Sequence, residues 1–204
     1  MSTEYVSCVL KKILNSMNSP NALITGANRG IGLELTKLLV NSNYNVDCVC
    51  RSSSTDLEEL SVTIFSDINL THSQDLQHLK TKLQNNSYDL IINNAGMLSN
   101  ETFDNFNAAS KTRILDQFKL NSLAPLELSC LFSDQLKSPS KLVFITSRMG
   151  SITDNTSGSR YGYRMSKAAL NMAATSLAHD LHAQGVVVGI LHPGYVKTGM
   201  TNFN

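Results

Sequence analysis

Three glycines within seven residues constrain this chain more than any other feature. They stand in Thr25-Gly26-Ala27-Asn28-Arg29-Gly30-Ile31-Gly32, between the apolar run Ala22–Thr25 and a stretch in which Ile31, Leu35, Leu38 and Leu39 recur at helical spacing. A strand that turns straight into a helix needs a residue without a side chain at the turn, here Gly26. Gly30 lets a ligand approach the backbone, and Gly32 lets helix and strand touch. The first N–H groups of the helix lack intrahelical partners and carry positive partial charge, so the loop suits a pyrophosphate. The spacing is G-x-x-x-G-x-G rather than G-x-G-x-x-G, and the strand before and helix after it carry the assignment. Asn28, Arg29 and Ile31 are the loop residues expected to face the ligand with the glycines.

The same alternation continues down the chain. Val46–Cys50, Val62–Phe65, Leu90–Ile92, Leu142–Ile145 and Val186–Leu191 read as further strands. Between them lie a short helical turn over Asp56–Leu60, a helix spaced by Leu76, Leu79 and Leu83, and two long helices over Ala108–Leu136 and Met165–Ala183. The strands lack polar alternation, which predicts burial on both faces and hence a parallel sheet covered by helices. Right-handed crossovers then give an α/β, doubly wound parallel sheet of about six strands, the Rossmann fold, with helices on both faces. The length of 204 residues suits one domain. Residues 20–204 are expected to form this dinucleotide-binding domain, with 1–19 an added arm holding at most one short helix. Lys11 and Lys12 interrupt the apolar residues there, so no secretory signal is read, and Met17 could serve as an alternative start.

Charge and cysteine content narrow the setting. A formal net charge of +1 gives no electrostatic case for nucleic acid or an anionic membrane as partner. No apolar run is long enough to span a bilayer. Cys8, Cys48, Cys50 and Cys130 form neither a disulfide ladder nor a metal cluster, and a reducing cytoplasm is the simpler setting. His179 and His182 share a helix face without a third ligand, so no metal is expected.

The second strand ends in Cys50-Arg51 with no carboxylate at its tip. In dinucleotide folds an acidic residue there favours NAD, whereas arginine accommodates the 2′-phosphate of NADP. Arg51, with Arg29 from the loop, therefore predicts NADP(H) in preference to NAD(H). Asp67, just after the third strand, could accept from the adenine amino group, although it equally suits a turn.

The ordered set Thr25-Gly-x-x-x-Gly-x-Gly32, Asn93-Asn94-Ala95-Gly96, Asn121, Ser147, Tyr163-Arg-Met-Ser-Lys167 and Pro193-Gly194-Tyr-Val-Lys-Thr198 resembles the short-chain dehydrogenase/reductase family. The wording around Tyr161–Asn171 is similar to its C-factor-like and Sniffer-like carbonyl reductases. The resemblance implies an NADPH-dependent oxidoreductase that transfers hydride to the carbonyl of an aldehyde or ketone, reversibly with the alcohol. It gives Tyr163 the role of general acid, with Lys167 tuning it and holding the nicotinamide ribose. Asn121 would hold a water linking Lys167 to solvent. Asn94, Ala95 and Gly96 would support the sheet centre and brush the cofactor. Pro193, Gly194 and Val196 would lie along the nicotinamide, and Thr198 would bind its carboxamide.

The residues themselves are compatible with these roles. Tyr163 and Lys167 are four apart, one turn on one helix face, where an ammonium is expected to lower the phenol's ordinary pKa of about 10. Tyr161, six from Lys167, is expected to point away as a pocket wall. Ser147 ends a strand on the ligand-binding edge and can hydrogen-bond the substrate oxygen, while Thr146 should face the other way. Met97, Met149, Tyr195 and Met200 are candidate pocket residues, and His192 is read as structural.

Relatives of this kind usually continue beyond the Pro-Gly-x-x-x-Thr segment with a substrate-covering stretch, a strand and a helix. The substrate side is thus expected to be incomplete and the edge beside the last strand exposed. That leaves an alternative class, an NADP(H)-binding regulatory or interaction protein with little turnover because the substrate lid is missing. The two long helices are the faces through which a homodimer could form.

Overall fold

The computed structural model describes residues 19–201. The arm expected over 1–19, with Cys8 and Met17, lies outside the described residues except for Ser19. Six strands form one sheet in the order β3-β2-β1-β4-β5-β6, all parallel. They are β1 (Asn21–Thr25), β2 (Asn45–Val49), β3 (Thr63–Phe65), β4 (Tyr88–Asn93), β5 (Leu136–Ile145) and β6 (Val187–Leu191). The helices are α1 (Gly30–Asn41), α2 (Thr55–Glu58), α3 (Ser73–Lys82), α4 (Ala108–Phe118), α5 (Ala124–Leu131) and α6 (Tyr161–Asp180). This is the expected doubly wound α/β arrangement.

Successive residues of the central strands serve two separate cores, as the two-residue period of a strand requires. Leu23, Ile91, Leu142 and Phe144 pack with Leu76 and Leu79 of α3, Leu128 of α5 and Leu170 and Leu177 of α6. Ile24, Ile92 and Cys48 belong to the other core, with Leu33 of α1 and Leu57 of α2. Cys48 and Cys50 are free and buried, and burial pushes the Cys48 thiol up to about 12. The expectation of burial on both faces fails for β6, where Val187, Ile190 and Leu191 are exposed. β6 is a sheet edge and pairs only with β5 among the described strands.

The long helix expected over Ala108–Leu136 is not continuous. It runs as α4, a π-helical turn over Lys119–Leu123, and α5, with a short 3₁₀ turn (Ser133–Gln135) leading directly into β5. Pro125 explains the break. It has no N–H to give the carbonyl of residue 121, and its ring crowds that carbonyl, so the helix widens by one residue just ahead of it. The helix expected over Met165–Ala183 starts four residues earlier, at Tyr161, which places Tyr163 in its first turn.

Candidate active site

β1 and β4 are neighbours, yet their chains leave the sheet in opposite directions, which opens a crevice at their C-terminal ends. Thr25 ties the crevice together. Its Oγ1 accepts from the backbone N–H groups of Asn94 and Ala95, both at 3.1 Å. Asn94 returns the bond, donating from Nδ2 to the carbonyls of Thr25 (3.0 Å) and Gly26 (3.2 Å). Asn94 and Ala95 thus brace the glycine loop, as expected of a support for the sheet centre.

The glycines of that loop are sterically required. Gly26 has φ +69°, and a Cβ there would lie 2.9 Å from the Ala95 Cα. A Cβ on Gly32 would sit 2.1 Å from the Gly26 carbonyl oxygen. Gly30 is different: with φ +54° it faces Thr198, whose Cγ2 would be 3.4 Å from a Cβ. The segment after β6 therefore folds back over the loop, and Thr198 joins the predicted cofactor residues in space. Pro193 and Gly194 lie exposed on that segment, and Val196 is half-buried.

The start of α1 is open to an anion. Arg29 occupies the N-cap in extended conformation without a side-chain cap bond, and no acidic residue stands in the first turn. Asn28 is anchored through its carbonyl, which accepts from Ser54 Oγ at 2.7 Å. Ser54 belongs to the Arg51-Ser-Ser-Ser54 run after β2, so that run is fastened to the glycine loop. Within it Ser53 Oγ is, among the described residues, a buried side-chain oxygen with no hydrogen-bond partner. Arg51 and Asp67 are exposed, and the Asp67 N–H donates to the Arg51 carbonyl at 3.2 Å. An orphaned hydroxyl beside an exposed arginine, together with a glycine cradle, fits the phosphate groups of a dinucleotide. Sequence reading missed Ser53 and Ser54. Their signal was present as a serine run at the tip of β2, but its attachment to the loop could not be read.

The predicted catalytic residues converge at the same edge. Ser147 lies two residues beyond β5 and accepts from the Met149 N–H at 3.1 Å. Thr146 is buried, and its Oγ1 donates to Asn171 Oδ1 at 2.6 Å, one turn beyond Lys167 on the same helix. Tyr163 and Lys167 are both buried, and Lys167 Nζ is 5.9 Å from the centroid of the Tyr163 ring. The Lys167 ammonium donates to the Ile145 carbonyl at 2.8 Å, and burial pulls its pKa down to about 8. Tyr161, the first residue of the helix, is half-buried.

An ammonium one turn away was to lower the Tyr163 phenol, but burial raises it, with the nearby Ser147 hydroxyl opposing. Desolvation disfavours the phenolate more strongly than the neighbouring groups favour it. The phenol is therefore held as a proton donor at neutral pH.

Asn121 sits in the π-turn with its side chain fully engaged. Its Oδ1 accepts from the Met97 N–H at 2.8 Å, and Nδ2 donates to the Met97 carbonyl at 2.9 Å and to Ser166 Oγ at 3.0 Å. A Cβ on Gly96 would lie 3.2 Å from Asn121 Oδ1 and 3.9 Å from Lys167 Nζ, so Gly96, Asn121 and Lys167 share one small space. Met97 is half-buried, whereas Tyr195 and Met200 are exposed and His192 lies exposed after β6. The loop carrying Ser147 is closed by an Arg148–Asp154 ion pair.

A residue that sequence reading missed altogether is Glu101, completely buried in the segment after β4. Its Oε2 accepts from the Gly162 N–H at 3.2 Å, at the residue before Tyr163. Among the described residues there is no group of three or more His, Cys, Asp or Glu placed to hold a metal ion. Nor is any described helix long and apolar enough to cross a membrane.

Comparison with known proteins gives a consistent result. Residues 20–204 match the family model described as short chain dehydrogenase. The chain is 32% identical over 181 residues to 1-hydroxy-2-glutathionyl-2-methyl-3-butene dehydrogenase of Rhodococcus sp. (strain AD45), covering 88% of this chain and 79% of that one. Among solved structures it is similar to NADPH-bound carbonyl reductase from chicken fatty liver, with 31% identity and a TM-score of 0.76 over 89% of this chain and 82% of the other. It is similar also to the carbonyl reductase Sniffer of D. melanogaster, with 28% identity and a TM-score of 0.78 over 90% and 84% of the two chains.

Proposed function

This chain belongs to the short-chain dehydrogenase family and is an oxidoreductase, and on that premise we propose that it reduces the carbonyl of an aldehyde or ketone with NADPH. The observation that carries the reading is the buried Tyr163, one helical turn from the buried Lys167 ammonium, which stands 5.9 Å from the centre of its ring. A buried phenol kept protonated is suited to giving a proton to an oxygen that gains negative charge.

When bound, a reduced nicotinamide supplies the hydride. Arg29, Gly30 and Ile31 at the start of α1 hold the pyrophosphate. Arg51 and Ser53 hold the 2′-phosphate, which makes NADPH the preferred form. Asp67 takes the adenine end, and Pro193, Gly194, Val196 and Thr198 line the nicotinamide end. Ser147 Oγ donates a hydrogen bond to the substrate oxygen and Tyr163 Oη transfers its proton there as charge develops. Lys167 Nζ holds a positive charge beside the phenol, which stabilises the phenolate left behind, and it contacts the ribose hydroxyls. Asn121 fixes Met97 and Ser166 near that ammonium, where a bound water would restore the proton. Exposed Leu115 on α4 and Met165 and Met172 on α6 favour a homodimer through these helices.

The alternative of an NADP(H)-binding protein with little turnover draws no support from the three relatives above. The test is NADPH oxidation by the purified chain against a panel of aldehydes and ketones, beside Tyr163→Phe. Turnover is expected in the wild type and a fall of about a hundredfold or more in the variant. A folded, NADPH-binding wild type that reduces nothing in the panel would overturn the reading.

A further inference from the structure

We propose that Glu101 is a positioning residue that fixes Tyr163 by holding the turn from which α6 starts. The inference rests on the reduction proposed above, in which Tyr163 moves the proton.

Two kinds of contact converge on this one residue. Its backbone carbonyl accepts from the Arg160 N–H at 2.6 Å, and its carboxylate accepts from the Gly162 N–H at 3.2 Å. These two N–H groups bracket the first residue of α6, where the helix cannot supply acceptors of its own. Ahead of them, Ser159 and Arg160 sit at φ +49° and +51°, in the left-handed region that non-glycine residues rarely adopt. A backbone in that state persists only where its surroundings hold it. One Glu101 contact falls on that strained pair, at Arg160, and the other falls two residues beyond it, at Gly162.

The other Glu101 contacts hold the carboxylate itself still. Gln117 Nε2 of α4 donates to Oε1 at 3.3 Å, the Ser99 hydroxyl donates to the same oxygen, and Arg113 Nε stands 3.7 Å away. Burial pushes the Glu101 carboxyl up, but the bonds from Ser99, Gly162 and Gln117 outweigh it and hold it below its usual value. Helix α6 has no slack at this point. A Cβ on Gly162 would lie 2.2 Å from Gln117 Nε2 and 3.0 Å from the Ile114 Cα. A buried carboxylate is costly unless its oxygens are satisfied, and a hydrocarbon would fill the same volume without supplying an acceptor to Gly162. What the carboxylate adds is a fixed acceptor one residue before the reacting phenol.

The experiment compares Glu101→Ala and Glu101→Gln in the full chain. The readouts are kcat and KM for a reduced carbonyl, NADPH affinity by fluorescence, and hydrogen exchange of the peptide spanning 161–165. Misplacing a reacting group by on the order of 1 Å costs about a hundredfold in rate. Glu101→Ala is therefore expected to lose about that factor in kcat, to keep NADPH affinity within about twofold, and to exchange faster over 161–165. Glu101→Gln, whose amide oxygen can still accept from Gly162 while its NH2 replaces the acceptor facing Gln117, Ser99 and Arg113, is expected to recover part of the kcat and protection that alanine loses. Should the alanine variant not fold, Glu101→Asp replaces it, its carboxylate one methylene short of Gly162, with the same losses expected. Unchanged kcat and protection in the alanine or aspartate variant would overturn the proposal, as would a kcat loss that glutamine does not restore even in part. If the wild type turns over no carbonyl, the proposed reaction falls, and the exchange data alone decide whether Glu101 holds the turn.

Discussion

Replacing Lys167 by methionine is expected to abolish reduction and yet change stability in a direction set by pH. The ammonium is buried, and its pKa falls from 10.5 to about 8. A lowered lysine pKa means that folding disfavours the bound proton. The destabilisation is fully present below the folded value and fades as pH rises from 8 toward 10.5. A shift of this size corresponds to about 3 kcal/mol at pH 7 and about 1 kcal/mol at pH 9.5. Methionine keeps the apolar stem but leaves the Ile145 carbonyl without the donor it has at 2.8 Å, a loss of about 1–2 kcal/mol that does not depend on pH. The variant is thus expected to be about 1–2 kcal/mol more stable than wild type at pH 7. The wild type then gains on it by about 2 kcal/mol by pH 9.5. Urea unfolding of both proteins at half-unit steps from pH 6.5 to 9.5 measures this. Tyr88 and Cys48, whose pKa values burial raises, contribute equally to both proteins and cancel in the difference. A difference that stays flat across that range would refute the reasoning, because it would mean that Lys167 binds its proton as readily in the folded chain as in the unfolded one.

Two substitutions in the cofactor half follow from the same geometry. Gly32→Ala gains about 1 kcal/mol of helix propensity, but its Cβ would meet the backbone oxygen of Gly26 at 2.1 Å. Overpacking against backbone outweighs that gain, so a net loss of about 2 kcal/mol by thermal or urea unfolding is expected, with weakened NADPH binding. Arg51→Asp sets a carboxylate where the 2′-phosphate is proposed to sit. The NADPH-to-NADH affinity ratio is expected to fall by about a hundredfold, equivalent to about 3 kcal/mol, and fluorescence titration with both cofactors checks it.

What the sequence discloses of this molecule divides along physical lines. The glycine loop was legible because a strand, a tight turn and a helix start are encoded by neighbouring residues, and the doubly wound arrangement followed from crossover handedness. The break at Asn121 had a local signal in Pro125, which a helix drawn through to Leu136 overrode. The raised phenol of Tyr163 had no local signal, since desolvation depends on everything that packs around it. Glu101 is the extreme case: its partners lie 16 residues away at Gln117 and 61 away at Gly162. A lone glutamate in a polar stretch reads as a solvated charge until the fold closes over it.

The π-turn between α4 and α5 makes chain length itself part of the site. Each residue of an α-helix advances about 100° around its axis, so removing one residue from Lys119–Leu123 would leave a smoother helix and turn one of its halves by that angle against the other. The half bearing Gln117 touches Glu101 and the start of α6, while the half bearing Leu128 packs into the sheet. Both could not keep their partners after such a change. This stretch should therefore accept many changes of residue type at its exposed positions, such as Lys119 and Leu123, and no change in residue number.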